Sequence, residues 1–153
     1  ELNFSKENYD LQLIYNIFAG LVLRTTPESD KNIDMDSITS LNSPGFYLSY
    51  TMARMDSAGV NEYLENSLFK RKEFYSNELE MLYIKSCNML RPNLLFTGLL
   101  EHCNKINSLY QTHTIKGNKG NLDMFSKLLN DLRFGAKKLG LFYIPKISRN
   151  ESN

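Results

Sequence analysis

Tyr47, Tyr50, Thr51 and Arg54 stand within one short stretch, SPGFYLSYTMARMDSAG, and their side chains can do recognition chemistry. At about 100° per residue the four fall in one arc of a helix, while Leu48, Met52 and Met55 fill the adjoining arc. The apolar arc suits a core. The other sets flat rings beside a guanidinium, a combination that fits unstacked bases, because every base offers a π-face and arginine can also meet a phosphate. Tyrosines at i and i+3 also serve as plain core rim, with the ring half-buried and the hydroxyl wet. From this stretch alone, recognition and packing both stand open.

Other chemistry finds little support. His102 and His113 have no partner at ligand or catalytic spacing. His102 adjoins Cys103, but neighbouring helical residues point about 100° apart, so a partly exposed helix histidine is expected rather than a thiolate pair. Asp34 and Asp36 flank Met35 without the remaining ligands of a calcium loop, which leaves them capping or turn roles. Gly117-Asn118-Lys119-Gly120 has the GXXG spacing of a nucleic-acid clamp, but the surrounding strands of a KH domain are missing, so a flexible basic loop is expected. There is no phosphate loop of the form GxxxxGK[ST]. The sequence predicts no catalytic residue, no metal site and no cofactor.

The elements that must carry these residues read as helices. NYDLQLIYNIFAGLVLR places Ile14, Ile17, Phe18 and Leu21 at helical spacing and stops at TTPESDKN. RPNLLFTGLLEHCNKINSLY has Pro92 where a first turn tolerates it, then Leu95, Leu99, Cys103, Ile106 and Tyr110 along one stripe. LDMFSKLLNDLRFGAKKLGL repeats Leu122, Phe125, Leu129, Leu132, Ala136 and Leu139, with Gly140 as a stop signal. Between residues 61 and 90 a turn or short helix precedes an amphipathic helix beginning near Phe74. No segment alternates as a strand. The expected architecture is a single all-α domain, a bundle of about five helices.

Charge is divided unevenly along the chain. Residues 1–104 hold 9 Lys+Arg against 14 Asp+Glu, a net of −5, whereas residues 105–153 hold 9 against 3, a net of +6. Such asymmetry points to a polyanion-binding end, with Lys116 and Lys119 of the basic loop as phosphate contacts. No apolar run approaches the about 18 residues of a membrane span. Cys87 and Cys103 lie in apolar-periodic segments, which suits buried, reduced thiols and a cytoplasmic setting, with mitochondria as the alternative. The first residue is Glu and no signal-peptide layout follows, so a longer parent chain is expected.

Three blocks in order, IDMDSITSLNSPGFYLSYTMARMDS, RPNLLFTGLLEHCNKINSLYQTHTIKG and LLNDLRFGAKKLGLFYIPKI, resemble the DALR anticodon-binding domain of class I arginyl-tRNA synthetases over about residues 10–147. Gly45, Tyr47, Leu48, Tyr50, Ala53 and Arg54 match the family's first block, and Asn107-Ser108-Leu109-Tyr110 matches its Asn-x-Phe-Tyr region. The resemblance implies that Tyr47, Tyr50 and Arg54 contact bases or backbone of a tRNA anticodon arm, with Asn107 and Tyr110 close to the bound loop. Ser49 stands where synthetases have Gln, Ser43-Pro44 where they have Asn-Thr, Asn121 near the Arg that gives the domain its name, and Ile147 in place of a terminal Met. These departures are similar to non-catalytic relatives that escort a tRNA methyltransferase to arginine tRNAs. The expectation is therefore a non-catalytic tRNA-binding module. Its alternatives are the anticodon-binding domain of an arginyl-tRNA synthetase, working with that enzyme's catalytic part, and a protein-binding helical scaffold. No HIGH- or KMSKS-like nucleotide motif occurs in the chain, so it is not expected to aminoacylate.

Overall fold

A computed structural model of the chain describes residues 6–30 and 40–147, with side chains from Tyr9 onward in the first helix. Asp34 and Asp36 lie outside the described residues. Six helices follow in order: α1 (Lys6–Leu23), α2 (Pro44–Ser57), α3 (Val60–Glu65), α4 (Asn77–Met89), α5 (Pro92–Thr112) and α6 (Lys119–Lys138). Among the described residues there is no strand. The all-α expectation holds, with α3 and α4 as the short and longer helices read between residues 61 and 90.

Local chemistry sets the ends. Pro92 begins α5, where its missing N–H costs nothing. The Asn118 side chain caps α6 by accepting from the Asn121 N–H at 3.0 Å. Asn118-Lys119-Gly120 is thus a helix start, not part of a flexible loop. At the other end of α6, Gly140 takes φ 73° and the Leu141 N–H reaches back to the Ala136 carbonyl at 2.9 Å, which closes the open carbonyls of the last turn.

The core lies among α2, α5 and α6. Leu48, Met52 and Met55 from α2, Leu95, Leu99 and Ile106 from α5, and Phe125, Leu129 and Leu132 from α6 are all fully buried. Side chains at i, i+3 and i+4 share a helix face, so the apolar repeats of α5 and α6 meet along their length. Fully burying side chains of this kind stabilises by about 1.5–3 kcal/mol each before ordering costs.

α1 departs from its expected face. Of the stripe Ile14, Ile17, Phe18 and Leu21, Ile17 is buried and Leu21 half-buried, while Ile14 and Phe18 are 49% and 42% exposed. The helix is apolar on several sides, and the buried one is chosen by a close backbone crossing. A Cβ on Gly45 of α2 would lie 2.0 Å from the Asn16 carbonyl oxygen of α1. Asn16, fully buried, completes the contact by donating to the Ser49 hydroxyl at 3.1 Å and the Phe142 carbonyl at 2.9 Å, while its own oxygen accepts from the Phe142 N–H. Burying that polar face turns Ile14 and Phe18 outward.

Two further expectations are corrected. Cys87 is exposed, because the buried face of α4 is set by its neighbour Ser86, whose hydroxyl accepts from the Leu95 N–H at 2.9 Å and donates to the Arg91 carbonyl. His102 is buried rather than partly exposed, its Nε2–H donating to the Leu128 carbonyl of α6 at 2.9 Å. Burial holds the His102 pKa below the usual imidazole value.

The α3–α4 connection is fastened to α6. Asn130 accepts from the Arg71 N–H at 2.9 Å and donates to the Glu73 carbonyl at 3.1 Å. Asp131, almost fully buried, accepts from the Tyr75 and Ser76 N–H groups at 2.6 and 2.9 Å, at the opening of α4. Burial raises the Asp131 pKa, opposed by these two hydrogen bonds.

Candidate nucleic-acid interface

The side chains at the site are organised by Asn107, which α5 presents to α2. This nearly buried amide lies within hydrogen-bond distance of the Thr51 hydroxyl at 2.8 Å, the Cys103 carbonyl at 3.0 Å and the Tyr47 hydroxyl at 3.1 Å, all from Nδ2. Its Oδ1 accepts from Arg54 Nη1 at 2.9 Å. The Tyr47 hydroxyl in turn donates to Asn104 Oδ1 at 2.9 Å, and Thr51 donates to the Tyr47 carbonyl one turn back. A buried amide with both ends engaged is stable where a half-satisfied one is costly.

Arg54 is held flat by this arrangement. Its guanidinium carbon lies 3.9 Å from the centre of the Tyr110 ring and 6.0 Å from that of Tyr50. Tyr110 rests edge-on against Phe125 of the core, 6.5 Å between ring centres. Among the described residues no carboxylate pairs with Arg54. The charge therefore stays available to an outside anion while the plane is fixed from inside. Beneath it, burial pushes the Cys103 thiol up to about 12, so this cysteine is neutral at physiological pH and no nucleophile.

The three tyrosines differ in how they are anchored. Tyr47 and Tyr110 pack against the core, whereas Tyr50, half-buried, is not among the rings that do. Beside Tyr110 opens a groove of about 1010 Å³, running from the α2–α3 junction along the end of α5 and lined also by Tyr63, His113 and Lys116. The Tyr63 hydroxyl donates to Asp123, and that bond raises its pKa.

Of the residues expected from the sequence, Tyr47, Tyr50, Arg54, Asn107 and Tyr110 form one cluster, and Lys116 joins it along the groove. Lys119 does not line that groove; it is exposed on the first turn of α6, where its charge opposes the helix dipole. Asn104, Tyr63 and His113 were not expected. Asn104 was within reach of sequence reasoning, lying at i−3 from Asn107 on the same helical face. Tyr63 and His113 come from separate elements and carry no such signal. Among the described residues no group of His, Cys, Asp and Glu is placed to hold a metal ion, and no helix is long and apolar enough to cross a membrane.

No family model, curated protein or solved structure matches this chain.

Proposed function

We propose that this chain is a non-catalytic RNA-binding module that takes the anticodon arm of a tRNA on the α2–α5 face. The observation that carries this reading is Arg54, stacked on Tyr110, bonded to Asn107 and free of a carboxylate partner among the described residues. A guanidinium fixed in this way is preorganised for a phosphate or a base face, since the ordering cost is met within the protein. Tyr50 beside it offers a ring that a loop base can cover, and Lys116 extends the positive charge along the groove. The DALR resemblance supports tRNA as the RNA, arginine tRNAs as its class, and a tRNA methyltransferase as the enzyme served.

The test is a titration of labelled arginine tRNA across ionic strength. The logarithm of the binding constant falls with log salt by ~0.7–0.9 per phosphate neutralised, and a handful of contacts is expected. Binding that ignores salt, or no binding at low salt, contradicts the reading and favours a protein-binding scaffold.

A further inference from the structure

On another side of the bundle lies a second groove, of about 790 Å³, between the α3–α4 connection and the C-terminal half of α6. Six of its lining residues are cationic, Lys70, Arg71, Lys72, Arg133, Lys137 and Lys138, and none is acidic. The Asn130 and Asp131 hydrogen bonds described above fix the connecting segment over α6, and so set one cationic rim opposite the other. Glu65 pairs with Lys70 and Arg133, and Glu73 faces Arg71 at 3.6 Å. Lys72, Lys137 and Lys138 are exposed and have no carboxylate partner among the described residues. Met52, on the floor, is two residues from Arg54, about 200° around α2, so the groove opens away from the tyrosine face.

Two of the three aromatic rings here are taken by the protein's own cations, and the third, Phe142, meets Tyr15 edge-on at 5.1 Å between ring centres. Arg133 lies over Tyr143 at 4.7 Å and Lys138 over Phe134 at 5.0 Å. Rings capped by the protein's own cations do not offer those faces to bases, while Lys138 itself stays exposed. Repeated positive charge beside rings that are mostly covered suits a sugar-phosphate backbone better than a run of stacked bases. An acidic peptide would need pockets for anchoring side chains, and the apolar floor of Met52, Leu64, Ala136 and Leu141 belongs to the well-buried core.

We propose that this groove is a second RNA contact, which holds backbone phosphates and reads no sequence. The proposal rests on the reading of the chain as an RNA-binding module, but on none of the tyrosine-face residues. The variant Lys72→Gln/Lys137→Gln/Lys138→Gln tests it, since the three side chains are exposed and a thermal melt verifies that folding is kept. Expected is at least a tenfold loss of affinity at low salt and a salt slope shallower by ~2, given ~0.7–0.9 per lost contact. The loss should be equal for arginine tRNA and for an RNA hairpin of unrelated sequence. Unchanged affinity and slope in the triple variant overturn the groove, and leave the tyrosine face standing if Tyr50→Ala weakens binding. A silent Tyr50→Ala beside a weakened triple variant supports the groove and rejects the face. Displacement of RNA by polyglutamate as effectively as by polyuridylate assigns the groove to an acidic protein and overturns it, and absence of any RNA binding by the wild type overturns both.

Discussion

Asn107 is the residue on which the site's geometry turns, because four groups from two helices depend on one side chain. Asn107→Ala leaves the Arg54 guanidinium without its acceptor and the Thr51 hydroxyl oxygen without its donor near the core. A loss of about 1–3 kcal/mol in stability is expected by urea unfolding, together with weaker tRNA binding as Arg54 loses its plane. His102 makes a separate prediction. Its folded pKa lies below the ordinary 6.5 because of burial, so the unfolded chain takes up the proton first. The stabilisation is complete above about pH 6.5 and is lost as pH falls toward the lowered folded value. Wild type should therefore lose more stability between pH 7.5 and 5.5 than His102→Gln, and equal losses would show that this imidazole is not the group responsible. The grouping of Tyr47, Tyr50 and Arg54 was readable because helical spacing puts them on one face, whereas Asn107 and Tyr110 were expected at the site only through the DALR resemblance. The internal use of the Tyr47 hydroxyl, between Asn104 and Asn107, was not readable, since it depends on how α2 and α5 meet.

At the scale of elements, α5 and α6 were legible because each carries one continuous apolar stripe bounded by Pro92 or closed by Gly140. α1 was not. Its apolar residues surround it, so periodicity could not say which side is buried, and the choice falls to a polar Asn16 and the glycine opposite. Gly45→Ala tests that account: the new Cβ would sit 2.0 Å from the Asn16 carbonyl oxygen, and backbone cannot yield as a side-chain tip can. An overpacking cost of ~1–3 kcal/mol is expected, read as a lowered melting temperature. An unaffected melt would mean that α1 is not seated on α2 as described. The α3–α4 connection was likewise hidden, because Asn130 and Asp131 look like surface polar residues in the sequence and act instead as acceptors for its backbone.

For the molecule as a whole, the net of −5 in residues 1–104 and +6 in residues 105–153 pointed to a basic end. Folding mixes the halves. Arg54, Lys70, Arg71 and Lys72 come from the acidic part and sit among partners from the basic part, which summing along the chain conceals. In the proposed function the α2–α5 face binds RNA through the half-buried Tyr50 ring beside a fixed arginine, and Tyr50 separates recognition from packing, since its neighbours Tyr47 and Tyr110 support the core and Tyr50 does not. The deciding measurement is Tyr50→Ala, with melting temperature and arginine-tRNA affinity taken on the same preparation. The account predicts an unchanged melt, because alanine favours the helix, and affinity weaker by ~1–3 kcal/mol, the worth of one base–aromatic stack, with the salt slope retained because stacking releases no counterion. A lowered melt with full affinity in the folded protein would contradict it.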